Sequence, residues 1–262
     1  MTMTILQPDG AVHIWLVNLE QVPEARLEDY RALLSEDERD RLQNYKNPKV
    51  RLSQLITRAA VRVCLSQYAE DVTPEAWQFE RNEAGKPQLV QAPRPLSFNL
   101  SHSGDWLAIA VTLTTPLGVD VQFKTTRPAH LELARRYFHP EEVRELEACQ
   151  DEAERLERFF YFWTLKEAYF KARGTGISTG LEKVRFDTNA QGQIVATLAA
   201  ELNDDASQWQ FHHYQLEDDY RLALAVNRPQ PQHVEPEFYR FVPLESIQPL
   251  YMQAHRIQTR SF

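Results

Sequence analysis

The chain reads as an α+β protein made of two similar halves, each a small, mainly antiparallel sheet packed on one long helix. Three observations predict this. Two stretches, FNLSHSGDWLAIAV at 98–111 and FHHYQLEDDYRLALAV at 211–226, share a strand, a polar turn carrying an Asp, and a closing LAxAV strand. Each follows a long helical segment and a pair of strands. No Ser/Gly-rich linker or low-complexity tract separates the segments, so the halves pack without a flexible spacer. The predicted boundary falls at Pro116, giving halves at 1–116 and 117–232 and a C-terminal tail at 233–262.

In order, HIWLVNL at 13–19 alternates large apolar residues and predicts a strand. Ser35 followed by Glu36, Asp37 and Glu38 opens a helix, with acid in the first turn where the macrodipole favours it. Lys46 to Lys49 is a basic turn broken by Pro48. From Arg51 to Tyr68 an amphipathic helix sets Leu52, Leu55, Ile56, Ala59 and Val63 on one side and Arg51, Arg58 and Arg62 on another. Trp77–Arg81 reads as a strand and EAGKP at 83–87 as a turn presenting Lys86. Strands follow at 98–101 and 106–113, joined by His102-Ser103-Gly104-Asp105. In LGVDVQF at 117–123, strict alternation turns Val119 and Val121 one way and Asp120 and Gln122 the other. Helices are expected near 131–137, 140–149 and up to Gly174, and strands at 184–187, 193–198, 209–216 and 220–226. The Pro-bearing stretch 228–236 is loose.

With 262 residues, 43% of them hydrophobic, the chain can bury a sizeable core. A net charge of −8 and a pI near 5.5 argue against a general nucleic-acid binder, so an anionic ligand must meet a local basic patch. Cys64 and Cys149 lack CxxC or CxxH spacing and read as free thiols. The N-terminus shows no secretory pattern and no apolar run is long enough to span a bilayer, which points to a cytoplasmic protein without membrane attachment.

The segment FFYFWTLKEAYFKARGTG at 159–176 is apolar nearly all the way round as a helix, yet carries Glu167 and Lys171 one turn apart. An ionised carboxylate in such a setting needs a partner or a metal. The plain alternative is an i,i+4 ion pair worth about 0.3–0.5 kcal/mol. Asp120 and Glu167 make a carboxylate pair suited to Mg²⁺, which takes one or two protein carboxylates and completes its shell with water and phosphate oxygens. Lys86, His102, Lys171 and Arg51 or Arg58 could then hold a phosphate-bearing ligand. Each taken alone reads first as a solvated surface charge, and only the set points to a phosphate. Ser101, His102 and Asp105 invite a hydrolase triad, but a GxSxG elbow is missing.

These motifs, FNLSHSGD at 98–105, LGVDVQ at 117–122 and FWTLKEAYFK at 162–171 with Gly174 and Gly176, resemble the ordered signature of the surfactin-synthetase-activating (Sfp-type) 4′-phosphopantetheinyl transferases. With the GKP turn at 85–87, the resemblance covers roughly half the chain and leaves the tail outside. It implies a pseudodimer fold and a monomeric enzyme. The implied reaction moves the phosphopantetheine arm of coenzyme A to a serine of an acyl, polyketide or peptidyl carrier protein, releasing adenosine 3′,5′-bisphosphate. On this resemblance Asp120 and Glu167 bind Mg²⁺ and Lys171 contacts the same phosphates. Lys86, Ser101, His102 and Arg51 meet the nucleotide end, and Glu142 in HPEEVREL matches a further acidic site position. Glu167, Glu142 or a metal-bound water could take the serine proton, with Glu167 as the working hypothesis. The family's strand usually reads Asp-x-Glu, whereas Gln122 stands at the second acidic position here, where its amide oxygen or a water would replace the carboxylate at the metal. The rival readings are a non-catalytic homologue that binds coenzyme A or a carrier protein, and a metal-dependent phosphohydrolase.

Overall fold

The structure, a computed structural model, describes residues 11–82, 85–113, 115–126, 129–176, 180–228 and 234–255. The described chain divides into two compact units. The first holds the chain up to Phe98, the strand after Asp105 and Pro236–Tyr251; the second holds Asn99–Gly104, the chain from Thr115 to Glu235, and the segment from Met252.

In the first unit β1 (Val12–Asn18) is the centre of a five-stranded sheet. It pairs antiparallel with β5 (Trp106–Leu113) and parallel with β11 (Pro236–Val242), and β12 (Ser246–Leu250) closes one edge against β11. The other edge is β4 (Leu96–Ser103), giving the order β12-β11-β1-β5-β4. The long helix α3 (Pro48–Ser66) belongs to this unit, after α1 (Leu27–Leu33) and α2 (Glu36–Gln43), and a two-stranded ribbon of β2 (Phe79–Arg81) and β3 (Pro87–Leu89) follows it. Ser35 caps α2 as expected, in a reciprocal capping box with Glu38. Pro48 does not break the chain but starts α3, where its missing N–H costs nothing and its fixed φ suits the helix. Trp15 explains the core: its indole N–H donates to the Tyr68 hydroxyl at 2.8 Å, while its rings pack on Tyr239 and Phe241 from β11.

The stretch 236–250, read from the sequence as part of a tail, therefore supplies two strands of the first sheet. Tyr30 on α1 donates its hydroxyl to Pro243 O at 2.8 Å, tying the turn between these strands to the helical layer. Its parallel partner lies more than 200 residues away, and no local signal announces a pairing at that range.

The second unit repeats the theme with a fully antiparallel sheet in the order β6-β10-β9-β8-β7. The strands are β6 (Leu117–Phe123), β7 (Val184–Thr188), β8 (Ile194–Leu198), β9 (Trp209–Leu216) and β10 (Tyr220–Asn227). Helix α6 (Glu152–Arg173) packs on this sheet, with α4 (His130–Tyr137) and α5 (Pro140–Glu147) beside it. Phe160, Phe162, Leu165, Tyr169 and Phe170 are all buried, which is why α6 is apolar on most sides. Gly174 ends it at φ 68°, a left-handed cap that a residue with a Cβ adopts at a cost. Thus the α+β class and the two sheet-and-helix halves hold. Among the described residues no helix is long and apolar enough to cross a membrane.

Residues 252–255 return to the second unit, where Ala254 bridges to Tyr214 and the His255 amide donates to His213 O at 2.7 Å. The two imidazoles meet Nδ1 to Nδ1 at 3.1 Å, between Thr164 Oγ1 on one side and Glu157 on the other. Burial holds His13, His213 and His255 below the ordinary imidazole pKa of 6.5. Below pH 6.5 the unfolded chain therefore takes up protons that the folded chain refuses. The imidazoles' share of stability is full above that pH and is lost as the pH falls through the lowered values. In a Glu167→Gln background, which removes a carboxyl whose raised pKa acts in the opposite direction over the same range, the melting temperature is expected to drop between pH 7 and pH 5.5. A flat profile there would contradict neutral, buried imidazoles.

Candidate active site

The strand that carries Asp120 lies unusually close to the helix that carries Glu167. Gly118 makes this possible: a Cβ at that position would collide with the Ala168 carbonyl oxygen and the Ala172 amide nitrogen of α6. The glycine in LGVDVQF thus permits a close approach of backbones. Two residues on, Asp120 is completely buried and Lys171 of α6 reaches it, Nζ to Oδ1 at 2.6 Å. Ser101 joins the pair, donating its hydroxyl to Asp120 Oδ1 at 2.8 Å and accepting from Lys171 Nζ at 2.8 Å. On the other oxygen, Gln122 donates its amide nitrogen to Asp120 Oδ2 at 3.1 Å.

Glu167 lies one turn before Lys171 and is 7% exposed. Burial, and next the negative charge of Asp120, push its carboxyl up to about 7, with Lys171 opposing. A buried carboxyl whose ionisation is disfavoured beside the Asp120 charge marks a place where a cation is stabilised. His102 is exposed on β4, and partial desolvation followed by the Lys171 charge holds it below the usual imidazole value. Asp120, Glu167, Lys171, Ser101, Gln122 and His102 therefore gather in the second unit.

Other expected site residues lie elsewhere. Arg51 and Lys86 belong to the first unit. Arg51 is exposed, its guanidinium donating to Tyr45 O at 2.8 and 3.2 Å, and burial lowers Lys86 to about 8. Of the EAGKP turn, Glu83 and Ala84 lie outside the described residues. Arg62, read as part of a cationic face, is instead buried, with Glu38 at 2.6 Å and Trp77 O at 2.7 Å.

Glu142, expected in the catalytic set, is held by three contacts. It is fully buried against Lys166, also fully buried, at 2.7 Å. One oxygen accepts from the Phe186 amide at 3.0 Å, and the other from the His139 amide at 3.1 Å, closing a capping box on α5. The Lys166 ammonium donates in addition to Leu181 O at 2.9 Å and to Val184 O, between the rings of Phe138 and Phe186. These carboxylate oxygens are engaged in joining helix to strand.

Lys166, Asn99 and Ser103 have no part in the expectations drawn from the sequence. A lysine inside a helix that is apolar all round was the available signal for the first. For the others it was the polar set Asn99, Ser101 and Ser103 at spacing two, which places all three on one face of β4.

Comparison with known proteins gives the chain a family. Residues 116–225 match the 4′-phosphopantetheinyl transferase superfamily, and residues 23–114 match the profile described as 4′-phosphopantetheinyl transferase, N-terminal. A protein of Synechocystis sp., named provisionally as a 4′-phosphopantetheinyl transferase, is 35% identical over 84% of this chain and 88% of its own length. The 4′-phosphopantetheinyl transferase HetI of Nostoc sp. is 36% identical over 67% of this chain and 73% of its own length. The 4′-phosphopantetheinyl transferase Sfp of Bacillus subtilis is 29% identical over 77% of this chain and 86% of its own length. With matches of this length on both units, the chain belongs to the 4′-phosphopantetheinyl transferase superfamily.

Proposed function

We propose that the cluster around Asp120 is where this transferase moves the phosphopantetheine arm of coenzyme A onto a serine of a carrier protein. The observation that carries the reading is the convergence of a buried carboxylate, a second carboxylate beside it and a lysine on one oxygen, in a chain of this family.

Breaking the pyrophosphate of coenzyme A asks chiefly for positioning and for neutralising charge on oxygens. Asp120 and Glu167 suit Mg²⁺: both are hard oxygen donors, both are buried, and phosphate and water oxygens would complete the shell. The protein's share of such a shell would be these two carboxylates. Bound there, the ion would neutralise charge on the phosphate oxygens. Lys171 supplies a fixed positive charge at the same place, and His102 adds a donor toward the nucleotide end. Lys86 and Arg51 in the first unit are assigned to the nucleotide phosphates. Glu167 is assigned the proton of the carrier serine, taken directly or through one water. Glu142, with its oxygens engaged by Lys166 and two backbone amides, is left a structural part. The domain roles follow: coenzyme A contacts in the N-terminal half, and the carboxylates of the reaction in the C-terminal half. We also assign it a monomeric, cytoplasmic state.

Gln122 refines the metal side. Its amide presents nitrogen to Asp120, so it supports the carboxylate rather than adding a charge. Gln122→Glu is expected to raise apparent Mg²⁺ affinity about tenfold or more, a gain of the size seen for changes around metal ligands. A Mg²⁺ titration of initial rates reads this directly, and an unchanged half-saturation would remove Gln122 from the metal's surroundings.

The decisive experiment is intact-mass spectrometry of an apo carrier protein incubated with the enzyme, coenzyme A and Mg²⁺, with an EDTA control. The expected result is a mass gain of one phosphopantetheine that EDTA abolishes. No gain across fatty-acid, polyketide and peptidyl carriers, with coenzyme A still bound, would favour a non-catalytic binder. Consumption of coenzyme A without a carrier would favour a phosphohydrolase.

A further inference from the structure

The side chains of β4 do something the family signature does not explain. Asn99 Oδ1 accepts from the Val119 amide at 2.9 Å, Ser101 Oγ donates to Asp120 Oδ1 at 2.8 Å, and Ser103 Oγ accepts from the Phe123 amide at 3.0 Å. Residues at i, i+2 and i+4 share one face of a strand, so the three form a row. That row spans β6 from one side of Asp120 to the other. It supplies, from side chains, hydrogen bonds that an edge strand otherwise lacks. The FNLSHS motif is thus a polar ladder, and its middle rung lands on the site carboxylate.

We infer that Ser101 is a positioning residue for Asp120 and Lys171 rather than a contact for coenzyme A, an inference that rests on the functional reading above. The direction of its hydrogen bonds carries the argument. A serine hydroxyl has one proton and two lone pairs. Since Lys171 Nζ donates to it, its single proton goes to Asp120, and the three polar atoms close a triangle with sides of 2.8, 2.8 and 2.6 Å. Ser101 is 5% exposed, which leaves its hydroxyl little surface to offer a ligand. Its neighbour His102 is exposed, as alternation along a strand requires. Hence Ser101 holds the carboxylate and the ammonium in register, while ligand contact from β4 falls to His102. Asn99 and Ser103 bind backbone on either side of Asp120 and so keep β6 itself in place.

The test compares Ser101→Ala with Ser101→Thr, which keeps a hydroxyl, and with the nearly isosteric Ser101→Cys. Turnover by Ser101→Ala is expected to fall about 10–100-fold, the range for groups that orient metal-binding residues, with KM for coenzyme A unchanged within about twofold. Ser101→Thr should recover most of the turnover. A readout independent of transfer is amine labelling of the metal-free protein followed by peptide mass spectrometry. Released from Ser101, Lys171 should label several-fold faster in Ser101→Ala and Ser101→Cys, while labelling of Lys49 stays constant. A rise in KM for coenzyme A at unchanged turnover would return Ser101 to the nucleotide, and unchanged Lys171 labelling would overturn the positioning role. If the wild type transfers nothing, the functional reading fails, and the labelling comparison still decides what Ser101 does.

Discussion

Glu167→Gln is expected to lower the rate of carrier modification about 10²–10⁴-fold, the range for loss of a positioned proton acceptor, while leaving the fold intact. The substitution is close to isosteric, and the Phe160, Phe162 and Phe170 packing that holds α6 does not depend on the charge. A second effect goes the other way. In EDTA at pH 8 the variant should melt above the wild type, because a neutral amide replaces a carboxylate whose ionisation is disfavoured by burial and by the Asp120 charge. Each kcal/mol relieved corresponds to about 2–4 °C for a chain of this size. Rates from the mass assay and melting curves in EDTA read the two effects separately. Undiminished turnover would sink the assignment of Glu167, and a lower melting temperature would mean that its charge is compensated in the folded protein.

Lys166→Met is expected to cost about 3–5 kcal/mol of stability, because it leaves the Glu142 carboxylate buried with no counter-charge. Glu142→Gln should cost clearly less. Its amide oxygen can still accept from the Phe186 amide, and the Lys166 ammonium keeps the carbonyls of Leu181 and Val184. The double variant Lys166→Met/Glu142→Gln removes both charges and should recover at least half of the loss seen in Lys166→Met. Urea denaturation of the four proteins gives the coupling. Additive losses would show that the 2.7 Å contact carries no net interaction, and equal single losses would mean that the two carbonyls do not support Lys166. The pair is weak evidence for stability as such, since a well-packed apolar pair of similar volume is often as stable. What it does is tie the middle of α6 to the chain at Leu181–Val184.

Both variants sit in neighbouring residues of one helix, yet only one of the two was legible in sequence. Glu167 stood out through its spacing to Lys171 and its match to a family motif. Lys166 is still more deeply buried, but what it does depends on Glu142 and on two carbonyls that precede and open β7. That partnership crosses a turn whose geometry no helical period encodes. Glu142 shows the same limit from the other side: its place in a motif suggests chemistry, and its partners, Lys166 and the Phe186 and His139 amides, are not written in that motif.

Amino-acid pattern alone determined the elements of the chain, because period 2 and period 3.6 are local properties that burial on one face enforces within a few residues. It determined the α+β class through the recurring strand, Asp-bearing turn and LAxAV strand, and the family through motifs whose order is written in the chain. Tertiary structure decided the rest. It placed β11 beside β1, turned Arg62 and Glu142 inward, and set Lys171 on Asp120. It also made FNLSHS a row of rungs on β6. Each of these depends on which backbone lies opposite, and a residue's own neighbours in sequence do not carry that information. Gly118 shows the physical reason most plainly: its missing side chain matters only because α6 passes close enough to β6 to collide with one.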